Sequence, residues 1–180
     1  GLSISGVNSY DKSCSMKVAI GSSTWACLNT QVFGDIMIAR LHTGDAAVII
    51  REKLEEMFFT YERKFKEFLK MVDKLKEYEV SDKDAARQIG LLRYHEKIIN
   101  DRESNTAIKH WNKNKLYKAH TAWDLYSALT DALKLASARY SLTKHADLHT
   151  YFQDTYHTDE GKIFIFDADD NGYISIENEE

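Results

Sequence analysis

The sequence predicts a single domain of the α+β class. Three observations carry this. Short apolar segments punctuated by glycine crowd the first 44 residues, a long amphipathic stretch without a breaker follows, and two further apolar segments flank Asp-Asp-Asn-Gly near the end. The expected architecture is an N-terminal antiparallel strand meander over 1–44, one long helix over 45–79, a cluster of shorter helices over 81–158, and a C-terminal β-hairpin forming an acidic tail over 160–180. All of it is read as one domain spanning 1–180.

The strands are expected at 4–7, 16–20, 24–28 and 35–41, with Gly6, Gly21 and Gly34 as punctuation. From Ala46 the period changes. Leu54, Phe58, Tyr61, Phe65, Phe68, Val72 and Leu75 recur at alternating steps of four and three, which predicts one helix of about 33 residues and about 50 Å. Ser81 and Asp84 form a capping pattern for a helix reaching Tyr94 and extending toward Asn100, with Gly90 a weak point inside it. Ser104 or Asn105 opens a short helix that ends near Trp111. Thr121 caps a helix running to about Tyr140, with Trp123, Tyr126, Leu129, Leu133 and Ala136 on one face. A further helix is expected over 143–152, and hairpin strands over 162–166 and 173–176.

A hydrophobic share of 43% and an aromatic share of 12% exclude a disordered chain. No apolar run approaches the ~20 residues needed to span a bilayer, and no signal peptide is visible, so a cytoplasmic protein without a membrane partner is expected. Cys14 and Cys27 do not make a disulfide framework at this length and fit a reducing compartment. The net charge of −4 hides an asymmetry. Residues 147–180 carry ten acidic side chains and one basic one, a balance of −9, whereas residues 1–146 carry 23 basic and 18 acidic, a balance of +5.

Three stretches could carry chemistry. Lys109, Lys113, Lys115 and Lys118 fall within ten residues and can neutralise phosphates, while Trp111 and Tyr117 among them could stack bases. The competing reading is a solvated connection whose aromatics anchor it to the core. The tail loop from Asp167 follows a calcium-loop pattern, with oxygen ligands from Asp167, Asp169 and Asn171, Gly172 at the sharp turn, and the carbonyl of Tyr173. Asn178 stands where a bidentate Glu is required, and a hairpin with a type I′ turn at Asn171-Gly172 is the competing reading. Calcium is the one cofactor these residues suggest. His145, Asp147, His149, Asp154 and His157 form the third group: His145 and His149 would share one helical face and could share a metal, with Asp154 or His157 as a third ligand, and surface histidines on a polar helix are the competing reading. No phosphate loop, nucleophile elbow or paired apolar carboxylates is recognisable, and Cys27 with His42 lacks an orienting third group. No catalytic residue is therefore assigned, and an enzyme is the less favoured class.

Two blocks carry a family resemblance. One holds Asn8, Ser9, Asp11, Lys12, Ser13, Cys27, Asn29, Arg40 and His42; the other is the Trp123, Tyr126, Ala128 and Thr130 order within HTAWDLYSALTDALK. Together they resemble a phage- and plasmid-borne family catalogued as domain of unknown function 932, with departures at Leu28, where an acidic residue is expected, and Ser127, where Asn is commoner. The resemblance implies that the chain corresponds to the later part of the family domain, in a mobile-element setting with no assigned activity. The leading expectation is a non-enzymatic accessory protein binding single-stranded nucleic acid through 109–118. The alternatives are a structural module that forms homo-oligomers through the long helix, and a weak calcium- or metal-binding module.

Overall fold

The computed structural model describes residues 2–7, 16–24, 29–32, 37–39, 46–113, 120–156, 166–168 and 174–176. Helix α1 (Ala46–Glu77) runs unbroken for 32 residues, as its freedom from Pro and Gly permits. Its charged face is laced by Arg51–Glu55, Lys66–Glu62 and Arg63–Glu67, each one turn apart. Exposed pairs of this kind contribute only about 0.3–0.5 kcal/mol each. What holds α1 is its other face, where Phe68, Val72 and Leu75 enter the core and Met57, Tyr61 and Phe65 pack against its margin.

The next three helices begin at side-chain caps. The Ser81 hydroxyl accepts from the Asp84 N–H at 3.1 Å to start α2 (Asp82–Tyr94), which passes through Gly90 without a break. Asn100 and Glu103 cap α3 (Asp101–Lys113) reciprocally, through Glu103 N–H to Asn100 Oδ1 at 3.0 Å and Asn100 N–H to Glu103 Oε2 at 2.8 Å. This places the start of α3 at Asp101, ahead of the expected Ser104 or Asn105. Thr121 and Asp124 form a full capping box for α4 (Ala122–Ala132).

The helix expected to continue to 140 breaks instead. A short 3-10 turn (Leu133–Leu135) ends at Ala136 in extended backbone, and the Ser137 carbonyl accepts from the N–H groups of Tyr140 and Ser141 to open α5 (Ala138–Tyr156). The break returns α5 to the core, where Leu148, Phe152 and Tyr156 are buried. A straight helix would carry those residues away from their partners.

Among the described residues, the main core is built from α1 to α5 and their connections, with no strand residue in it. The α+β expectation is corrected accordingly: the protein is mostly helical. The short N-terminal strands alternate apolar residues with Ser3, Ser5, Lys17, Ser22 and Ser23, which leaves little apolar surface to build a core. Nor are they joined as a meander. β2 (Met16–Thr24) pairs antiparallel with β1 (Leu2–Val7), with β3 (Asn29–Val32) along its second half, and with β4 (Met37–Ala39) along its first, so β4 returns to β2 rather than adding beyond β3. Lys17 Nζ reaches α5, donating to the Arg139 carbonyl at 3.0 Å and to Thr143 Oγ1 at 3.1 Å.

The expected closing hairpin is corrected too. β5 (Phe166–Ala168) and β6 (Ile174–Ile176) pair with Ala168 opposite Ile174, a register centred on Asn171. The type I′ turn expected at Asn171-Gly172 lies outside the described residues.

Candidate functional site

The described part of the lysine-rich stretch, Lys109 to Lys113, forms the end of α3. One face of α3 buries Ser104, Ala107 and Trp111 at three- and four-residue steps. Trp111 is only 4% exposed, its Nε1–H donates to Asp82 Oδ1 at 2.9 Å, and its ring meets His120 edge-on with centroids 4.3 Å apart. The indole is thus a peg joining α3 to the start of α2 and to the segment entering α4. It is not a surface platform on which a base could stack.

Lys109 and Lys113 are exposed on α3, one turn apart. Among the described residues neither has an ion-pair partner. On the neighbouring α4, the Asp131 carboxylate is already engaged by His110 at 2.8 Å and by Lys134. Beyond Lys113 the chain returns at His120, whose carbonyl accepts from the Val80 N–H at 2.9 Å, and the Ala122 N–H donates to the Tyr78 carbonyl at 2.9 Å. His120 and Ala122 are therefore tied by backbone bonds to the segment that joins α1 to α2. Of the six residues expected to contact nucleic acid, the structure brings Lys109 and Lys113 together and places Trp111 in the core. Lys115, Tyr117 and Lys118 lie outside the described residues.

Of the histidines expected as ligands, His145 and His149 sit on α5 and face the interior. His145 is buried, with no hydrogen-bond partner for Nδ1 among the described residues. His149 lies 3.4 Å from the Tyr126 hydroxyl and against the Phe68 ring. Burial pushes both imidazoles down to about 4, so they are neutral at physiological pH. Among the described residues no three metal-ligating side chains come together. Of the calcium-loop residues only Asp167 is described, as a β5 residue paired with Ser175; Asp169, Asn171 and Tyr173 fall outside, as do Cys27, His42 and His157.

A buried ion pair escapes any local reading of the chain. Glu103 is 1% exposed and accepts from Lys144 Nζ at 2.5 Å, which ties α3 to α5. With this helix expected to open at Ser104 or Asn105, neither the Asn100-x-x-Glu103 cap nor the partner of Glu103 41 residues away is anticipated from the sequence.

These features define a domain with a helical core and a pair of exposed lysines that have no ion-pair partner among the described residues. The chain belongs to the family described as domain of unknown function (DUF932), whose model matches residues 2–158. No curated protein and no solved structure matches it. Among the described residues no helix is long and apolar enough to cross a membrane.

Proposed function

We propose that the protein is a non-enzymatic nucleic-acid-binding accessory protein that contacts single-strand phosphates through the lysines at and beyond the end of α3. The observation that carries this reading is the pairing of Lys109 and Lys113, exposed one turn apart, while charged residues of α1 such as Arg51, Arg63 and Lys66 are held by acids on their own helix. A cation without a carboxylate partner is free to exchange its counterions for phosphate. Lys115 and Lys118 would extend the contact, with Tyr117 as the one aromatic left for stacking. Trp111 anchors the helix that carries Lys109 and Lys113 to the core. The mobile-element setting that the family resemblance implies suits such a role.

Fluorescence anisotropy with labelled single-stranded DNA tests the reading. Binding is expected at about 50 mM salt and should weaken steeply by about 200 mM, with each phosphate contact adding about 0.7 to the slope. K109E/K113E should weaken binding at least tenfold. Absence of binding by the wild-type chain at about 50 mM salt overturns the reading.

A further inference from the structure

Helix α1 carries a second apolar feature that the core does not use. Phe59 is 91% exposed on the side away from the buried stripe, with Phe58 and Leu69 also exposed along the helix. The face around it follows the helical repeat through Glu52, Glu55, Phe59, Glu62 and Lys66, all of them exposed, at steps of three and four. Covering Phe59 together with its neighbour Phe58 would remove apolar area from water, a gain open to a partner whose charges match the face around them.

The charges around Phe59 say what the occupant is. In an antiparallel pairing of two α1 helices with Phe59 at the two-fold axis, residues equally far from Phe59 in opposite directions face one another. Arg51 and Glu67 lie eight residues to either side, Glu55 and Arg63 four, and Glu52 and Lys66 seven. Each of these matches joins opposite charges. The intrahelical pairs Arg51–Glu55 and Glu67–Arg63 are related by the same axis, so each would dock on its own inverse in the second copy. One match is like-signed, Glu56 with Glu62, and Glu62 is already neutralised by Lys66 at 2.7 Å. A parallel pairing would set Glu52, Glu55 and Glu62 each against itself and is repulsive throughout.

We propose that α1 is an interaction surface for a second copy of this chain, forming an isologous antiparallel dimer centred on Phe59. The Phe59 rings pack across the axis, Phe58 flanks them, and the charge matches fix direction and register. Because the apolar centre is small, the dimer forms at micromolar rather than nanomolar concentration. This inference is independent of the nucleic-acid reading, since α1 contributes none of the lysines at the end of α3.

Sedimentation velocity over a range of protein concentrations tests it. The wild-type chain should shift from monomer to dimer as concentration rises. F59E, at a site exposed enough to leave the monomer's circular dichroism unchanged, should raise the dissociation constant by at least about tenfold. The register has its own test. E55R and R63E should each dimerise poorly alone, but an equimolar mixture should form a heterodimer. In that mixture the introduced arginine of one chain faces the introduced glutamate of the other, and the unaltered Arg63 of the first faces the unaltered Glu55 of the second. A wild-type chain that stays monomeric at the highest attainable concentration overturns the proposal. So does dimerisation that F59E leaves unchanged, or a mixture of E55R and R63E that associates no better than either alone.

Discussion

Lys144 Nζ lies 2.5 Å from Oε2 of Glu103, a carboxylate sealed in the interface between α3 and α5. The other oxygen of Glu103 has no partner among the described residues, so Lys144 is the charge that makes this burial tolerable. Replacing Lys144 with Met should destabilise the protein by about 3–5 kcal/mol, because it leaves a buried anion uncompensated. Adding E103Q, which keeps the capping acceptor and removes the charge, should recover most of that loss. Urea denaturation of the two variants checks the sign. Equal destabilisation in the single and double variants would show that the pair contributes nothing through charge.

The peg role of Trp111 separates packing from recognition. W111F keeps most of the ring volume but loses the hydrogen bond to Asp82, for an expected cost of about 1 kcal/mol. W111A should cost about 3–5 kcal/mol through the cavity it leaves. Folded W111F should bind single-stranded DNA as the wild type does. A large drop in affinity with stability intact would restore the indole to the binding surface.

His145 and His149 make the core sensitive to acid. Burial lowers both to about 4 from an ordinary 6.5, so the unfolded chain binds protons that the folded chain refuses. Stability is therefore full above about pH 6.5 and falls as pH drops toward 4, by at most roughly 3 kcal/mol for each group. Chemical denaturation between pH 7 and pH 4.5 should show this slope, and H145L should flatten part of it. A profile unchanged by H145L would mean that His145 does not stay neutral in the fold.

Thr121 tests how far α4 depends on its cap. T121A removes the hydroxyl that accepts from the Asp124 N–H and should cost about 1 kcal/mol. The loss should appear in amide exchange as faster opening of the first turn of α4, with α2 unaffected.

Parts of this architecture were legible because they are written within one or two helical turns. The four-three recurrence from Leu54 to Leu75 needs no partner to be read, and α1 occupies nearly the expected span. Ser81 and Thr121 announce α2 and α4 through atoms three residues away. The fold class was not legible. The sequence shows that apolar strands are available, but not whether they supply the core, and here the helices supply it. At the candidate site, Lys109 and Lys113 were readable as exposed cations. The burial of Trp111 was not, because its bond to Asp82 joins residues 29 apart in the chain.

The sequence by itself determined where the long helix lies, which residues cap α2 and α4, and the division between a basic body and an acidic tail. Each depends on interactions over three or four residues, or on composition alone. Tertiary structure decided which aromatic becomes a peg, which carboxylate is buried against Lys144, where the 121–140 helix breaks, and that Phe59 is left facing water. Those outcomes depend on which surfaces meet, and residues far apart in the chain compete for the same apolar partners until the packing is fixed.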